Sequence, residues 1–411
     1  MELRPIEIRA IRDDEVLAFR DAIYLTFGGD ADSDPTYEER FRALVAPDRG
    51  FGAFDGGVLV ATAATFAFDL AIPGGALPIA GLTMVTVRPT HRRRGILRRL
   101  IEAHTDDARR HGEGVSGLWA SEATIYGRFG YGIAAEGDEI SFHAQALGFG
   151  DGRAADEVEL VDAEAAARLV PTAYQRATAA RPGTMSRDPG WWRYRRFLDR
   201  PDARKGASPL RHVVASRDGA VVGYGAYRLR QKWTEGSAAG TVEIDELVAS
   251  DPRAEMTLWR YLTRIDLFPN VSWWNAPVDS ILPWIASDQR RIRRLRMADT
   301  LWLRIDDIAR TLAARRYLED GALRLHVHDP AAASDGETVE LSVNDGVARC
   351  TVTDGTPDLR LDRATLGTLY LGGFAATQLG RAGRIAGDDV ALATADRMFR
   401  WPVAPWCAEI F

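Results

Sequence analysis

The stretch "VRPTHRRRGILRRL", Val87 to Leu100, packs six arginines and a histidine into fourteen residues of a chain whose formal net charge is −6. Just before it, "GLTMVTVRP" reads as a strand that stops at a proline. Just after the arginine triplet, Ile96, Leu100, Ile101 and His104 recur at helical spacing, so "RRRGILRRLIEAHTDDARRHG" predicts a helix ending near a glycine. A strand, a basic turn holding Gly95 and a helix that starts at once make a ready anion site. The first N–H groups of a helix lack partners and carry the positive end of its dipole. Gly95 keeps a Cβ out of the way of a ligand, and nearby arginines add charge-assisted bonds to a phosphate. The competing reading is a solvated helix face, since basic helices are common. The turn also lacks the G-K-[ST] ending of a P-loop and the spacing of a dinucleotide fingerprint.

The totals narrow the choice. With 52 basic against 58 acidic residues, and no second basic element, bulk nucleic-acid binding is not expected. A length of 411 residues predicts two or three domains, and 46% hydrophobic residues supply ample core. Two cysteines, Cys350 and Cys407, make no disulfide framework, and no Cys/His cluster has zinc spacing, so no metal is expected. The start "MELRPIEIRA" has no apolar core of a signal peptide, and a cytoplasmic location is expected. The uncharged run "LAIPGGALPIAGLTMVTV" approaches spanning length, but its prolines and glycines mark strands and turns, so no membrane partner is expected.

Working outward, residues 1–150 read as one α/β unit. "IEIRAI" alternates as a strand does, and "DDEVLAFRDAIYLTFG" has helical spacing behind an acidic first turn. Asp-Gly and Pro-Gly turns divide the strands between Gly50 and Val87. The Gly/Asp-rich "GFGDGRAADE" suits a linker. Residues 151–298 repeat the strand, turn, helix rhythm in "GTVEIDELVASDPRAEMTLWRYLTRID", but "DPRAEM" stands where "RRRGIL" stood, without the glycine. A hairpin is expected at Asp218-Gly219. Residues 299–411 alternate strands with apolar helices, as a small α+β domain would.

At this point a resemblance becomes specific. Arg92-Arg93-Arg94-Gly95 resembles the coenzyme A pyrophosphate turn of GCN5-related N-acetyltransferases, with Leu97 at a position usually held by a small residue. The three-segment layout, "DLRLDRATLGTLYLGG" and the terminal "APWCAEIF" resemble the enhanced-intracellular-survival (Eis) acetyltransferases over essentially the whole chain. That resemblance implies an α/β (α+β) fold of tandem GCN5-related N-acetyltransferase domains, the second degenerate, followed by a sterol-carrier-protein-like α+β domain. It implies acetyl-CoA as co-substrate, with Val85, Thr86 and Val87 along its acetyl-pantetheine arm. Arg93, Arg94, Gly95, Ile96, Leu97 and Arg98 would hold the pyrophosphate, and Ser121 and Glu122 would complete the site.

In "SEATIYGRFGYG", Tyr126 matches the family's general acid, and a phenol near pKa ~10 is a reasonable donor to a departing thiolate. The C-terminal carboxylate, here on Phe411, matches its general base. The family acetylates small cationic amines such as aminoglycosides and polyamines, at several positions, and assembles as homohexamers. Asp30, Asp32, Asp34, Glu38, Glu39 and Glu409 would then supply an acidic pocket. A protein lysine acetyltransferase with the same machinery, and an inactive lipid-binding or regulatory module, are the alternatives.

Overall fold

The structure, a computed structural model, describes residues 5–148, 156–330 and 335–411; most of the expected linker lies outside them. The chain forms two compact units. One gathers residues up to Ala135 with Asp299–Pro405 and Glu409–Phe411; the other gathers Glu136–Ala298 with Trp406–Ala408.

From the N-terminus the elements are β1 (Glu7–Ala10), α1 (Val16–Phe27), α2 (Tyr37–Leu44), β2 (Gly50–Asp55), β3 (Val58–Ile72), β4 (Gly75–Val87), α3 (Ile96–Arg110), β5 (Val115–Leu118), α4 (Ala123–Tyr126) and β6 (Gly132–His143). The uncharged run that nearly reached spanning length supplies the end of β3, a two-residue Pro73-Gly74 turn and all of β4. No described helix is long and apolar enough to cross a membrane. Neighbours β1 to β4 pair antiparallel, and β4 pairs β5 in parallel. Helix α3 buries the expected face, Ile96, Leu100, Ile101 and His104, and also Asp107 and Ala108.

Two polar groups on that face are fully enclosed. Asp107 meets Arg49, which also forks onto Glu113. His104 Nδ1 lies 2.7 Å from Thr65 Oγ1 and its Nε2 3.2 Å from Ser116 Oγ, joining α3 to β3 and β5. Burial, aided by the Arg49 charge, lowers the His104 pKa to about 3 from 6.5. The imidazole is therefore neutral when folded. Below pH 6.5 the unfolded chain takes up a proton that the folded chain refuses down to about pH 3, so this group's share of stability is complete above pH 6.5 and is lost as pH falls. Denaturant unfolding of His104→Gln is expected to show a shallower loss between pH 6.5 and 4, by up to ~1.4 kcal/mol per pH unit.

The middle segment holds β7 (Glu157–Val161), α5 (Ala163–Thr178), α6 (Pro189–Trp191), β8 (Arg211–Arg217), β9 (Ala220–Arg230), β10 (Trp233–Thr234), β11 (Ser237–Ala238), β12 (Thr241–Ala249), α7 (Pro252–Leu262), β13 (Asn270–Pro277), α8 (Leu282–Ile285) and β14 (Arg293–Ile305). Its sheet runs β6-β13-β12-β9-β8-β7, with β12 and β13 parallel. The β8–β9 hairpin turns at Asp218-Gly219, both at positive φ, as its Asp-Gly pair predicts.

Strand β14 begins at Arg293, ahead of the expected start near Asp299, and its Trp302–Ile305 end pairs antiparallel with β5. Beyond it come α9 (Ile308–Ala314), β15 (Gly321–His328), β16 (Glu337–Asn344), β17 (Val347–Val352), β18 (Leu359–Asp362), α10 (Arg363–Tyr370), α11 (Ala376–Arg381), β19 (Ile385–Gly387) and α12 (Asp389–Phe399). These strands form a separate five-stranded sheet, β17-β16-β15-β18-β19. Helices α10 and α11 are separated at Gly372, which sits at φ +82 where a side chain would press on the Phe399 carbonyl.

Candidate active site

Strands β4 and β5 share only two rungs, Ala80–Ser116 and Gly81–Gly117, and part beyond them. The cause is visible in β4. Thr62 faces Thr86 and Ala64 faces Thr83, so Met84 and Val85 stand opposite Ala63 alone, a bulge that turns the strand. Met84 sits at φ +52, a conformation that non-glycine residues adopt only when held there. Thr62 supplies the hold: its hydroxyl donates to the Met84 carbonyl at 2.7 Å and accepts from Thr86 Oγ1 at 2.7 Å. Val85, in the bulge, and Val87, beyond it, are half-buried, and Thr86 is buried.

After Val87 the chain makes a short turn and enters α3 through two left-handed residues, Arg93 at φ +63 and Gly95 at φ +74. A Cβ added to Gly95 would meet nothing within 4 Å, so the space before the helix is open. No side chain caps α3, which leaves its first N–H groups facing that space. Arg93 and Arg98 are exposed, Leu97 is half-buried and Ile96 is buried. Arg94 is committed inward: with His91 it reaches Asp55, at 3.2 and 3.3 Å, and fastens the turn to β2. Asp55 reads in the sequence only as half of an Asp-Gly turn, so this second role had no signal there. The open space, uncapped amides and exposed arginines fit a diphosphate. Gly95→Ala strains a left-handed residue by about 1–2 kcal/mol and fills the approach. It is expected to weaken the binding of a diphosphate-bearing ligand several-fold, which equilibrium titration will measure.

Beyond β5, Ser121 and Glu122 are exposed at the start of α4, and Tyr126 at its end is buried. Burial, reinforced by the Glu122 charge, pushes the Tyr126 phenol up to about 12, against the opposing effect of a Ser121 hydrogen bond. Its ring stands edge-on to Tyr131 at 6.1 Å. One apolar cluster contains Tyr126, Leu82 of β4, Leu118 of β5 and Ile96 of α3, with Val85, Val87 and Leu97 packed against it. The predicted strand, helix and tyrosine positions thus meet in one place.

Phe411 is 9% exposed, and its ring lies 5.2 Å from that of Phe68 on β3. It also abuts Gly81, the last shared rung of β4 before the strands part; a Cβ there would stand 3.2 Å from the ring. Glu409 is buried as well. In the α1–α2 loop Asp34 is buried and bound by Tyr24, Thr36 and Arg40, and in the first turn of α2 Glu38 pairs with Arg42. Asp30, Asp32 and Glu39 lie on the surface.

The second unit keeps the strands and loses the anion site. β12 carries its own bulge at Asp245 and runs beside β13 for four rungs. At the start of α7, however, Asp251 accepts a hydrogen bond from the Ala254 amide at 3.0 Å, and Pro252 fills the first helical position. Arg217 forks onto the same carboxylate at 2.9 and 3.2 Å. The N-terminus of α7 is thus capped by the chain's own anion, where that of α3 has no side-chain cap. In this unit Trp406 and Cys407 pack along β13: the Trp406 amide donates to the Pro182 carbonyl at 2.9 Å, and Asn275 donates to the Cys407 carbonyl at 2.9 Å.

Comparison with known proteins agrees with this architecture. Residues 7–134 match an acetyltransferase (GNAT) domain, residues 183–310 a second acetyltransferase (GNAT) domain, and residues 308–408 a sterol carrier protein domain. An uncharacterized N-acetyltransferase of Streptomyces avermitilis is 37% identical over 409 residues, covering 98% of this chain and 99% of its own. The N-acetyltransferase Eis of Mycobacterium bovis is 34% identical over 368 residues, 86% of this chain and 87% of its own. The crystal structure of Eis1 from Mycobacterium abscessus superposes with a TM-score of 0.84 at 30% identity, covering 99% of this chain and all of that one. Likeness of this extent, through both acetyltransferase domains and the sterol-carrier domain, makes the chain a member of the Eis family of N-acetyltransferases, an acetyl-CoA-dependent acyltransferase.

Proposed function

We propose that this acetyltransferase acetylates small cationic amines, aminoglycosides and polyamines, at more than one position, with Tyr126 as general acid and the terminal carboxylate of Phe411 as general base. The observation that carries the proposal is the seating of Phe411 against Phe68 and Gly81, where β4 and β5 begin to part. Acetyl-CoA, when bound, supplies the acetyl group as an activated thioester. The amides after Gly95, with Arg93 and Arg98, would hold its diphosphate, and Val85, Thr86 and Val87 would line its pantetheine arm beside Ser121 and Glu122. A backbone N–H freed by the bulge is suited to the carbonyl oxygen as negative charge develops there.

With its pKa near 12, Tyr126 keeps its proton on Oη throughout the working range. So weak an acid acts first as a hydrogen-bond donor to charge growing on the departing sulfur. A carboxylate is a weak base toward an ammonium, so the Phe411 carboxylate would take the amine proton through water. Asp30, Asp32 and Glu39 add negative potential that draws cations toward this unit. The reading includes a cytoplasmic homohexamer, which cell fractionation and sedimentation velocity test; exposed Trp284, Leu295 and Met297 are in keeping with subunit contacts.

Free-thiol release from acetyl-CoA, with aminoglycosides and a lysine-rich peptide as acceptors, is the deciding assay. Release with several aminoglycosides supports the proposal, and release with the peptide alone supports a protein lysine acetyltransferase. One glycine appended after Phe411 moves the carboxylate away and is expected to lower kcat at least tenfold, as loss of a general base does. A fully active extended chain would assign the base elsewhere.

A further inference from the structure

Helix α4 is a single turn of four residues with no side-chain cap, too short to hold itself in place. Tyr126 ends it, and the chain turns through Gly127–Phe129 before β6. That turn is gripped from outside. The Phe129 carbonyl accepts a 2.5 Å hydrogen bond from Arg304 Nη1. The same guanidinium donates through Nε to Asp306 Oδ1 at 2.8 Å and through Nη2 to Asp329 Oδ2 at 2.9 Å. Asp329 also pairs with Arg363 Nε at 3.2 Å, and Arg363 donates to the Ile305 carbonyl. All four charged side chains are at most 14% exposed, so their bonds are strong and their geometry tight.

The backbone leaves equally little slack. A Cβ on Gly130 would stand 2.8 Å from Arg304 Nη1, and one on Gly132 or Gly367 would overlap the Ala364 or Leu303 carbonyl. Asp329 and Arg363 belong to the sterol-carrier domain, so the grip on the α4 turn passes through that domain.

We infer that Arg304 is a positioning residue for Tyr126, and that the sterol-carrier domain sets the place of the acid through Asp329 and Arg363. The inference rests on the reading of Tyr126 as the general acid. It gives the third domain a part in catalysis beyond carrying Phe411. A simple staple between segments would alter stability and leave the chemistry alone; a positioning residue acts through the tyrosine hydroxyl.

Arg304→Lys keeps a charge beside both aspartates but cannot fork onto three acceptors at once. It is expected to lower kcat about tenfold, since a misplacement of ~1 Å can cost up to 100-fold. The affinity for acetyl-CoA should stay within about twofold. In a Tyr126→Phe background the same substitution should cause no further loss of kcat, because its effect runs through the missing hydroxyl. Equal losses in both backgrounds, or a lower Tm with kcat unchanged, would overturn the inference. An unchanged kcat in Tyr126→Phe alone would remove the underlying reading, an outcome seen before Arg304 is altered. Should Arg304→Lys fail to fold, Asp329→Asn carries the same comparison.

Discussion

Tyr126→Phe is expected to lower kcat by about 10²–10⁴-fold, the range for loss of a general acid, with acetyl-CoA binding preserved. The substitution removes one oxygen and nothing else. The ring stays in the cluster shared with Leu82, Leu118 and Ile96 and keeps its edge-on contact with Tyr131, so stability should change little. Because burial pushes the phenol up to about 12, Tyr126 keeps its proton across the ordinary assay range. The kcat profile of the wild type should therefore show no alkaline fall from Tyr126 below about pH 11. Turnover of both proteins from pH 6 to 11, with calorimetric titration of acetyl-CoA and a thermal melt, tests all four expectations. Unchanged turnover in the variant would take Tyr126 out of the mechanism.

Arg49→Met should produce the largest loss of stability of the substitutions considered, about 3–5 kcal/mol. Arg49 is 3% exposed and neutralises two carboxylates: Nε meets Asp107 at 2.8 Å, and its two amino groups meet Glu113 at 2.9 and 2.5 Å. Asp107 and Glu113 are themselves buried, so methionine fills the volume but takes the buried guanidinium from both anions, leaving Asp107 the 3.2 Å bond from the exposed Arg110. For a unit of this size the loss corresponds to a drop in Tm on the order of 10 °C. Adding Asp107→Asn and Glu113→Gln to Arg49→Met should recover part of the stability. If the single variant unfolds as the wild type does, the trio is not an obligatory part of the core.

Helix α3 was legible because a 3.6-residue period needs only neighbours along the chain: Ile96, Leu100, Ile101 and His104 announce their common face. The Asp218-Gly219 and Pro73-Gly74 turns were legible for the same local reason. The burial of Asp107 was not, since the buried guanidinium that meets it belongs to Arg49, 58 residues away, while its neighbour Arg110 reaches it from the exposed side at 3.2 Å. The bulge at Met84 gave no sign either, because a methionine at positive φ is held there by Thr62 from the next strand. The absence of a glycine in "DPRAEM" was plain, but that Asp251 and Arg217 occupy the vacated position required the hairpin to bring Arg217 alongside. Tyr126 and Phe411 entered through resemblance to a family, not through any spacing of their own.

Asp251 also bears on the stoichiometry of the molecule. A duplicated domain whose helix already carries its own counter-anion is poorly suited to receive a diphosphate. The expectation is that two acetyltransferase folds take up a single equivalent of co-substrate per chain. A competitive analogue of the diphosphate would meet one receptor per polypeptide, and counting bound equivalents would count working centres directly.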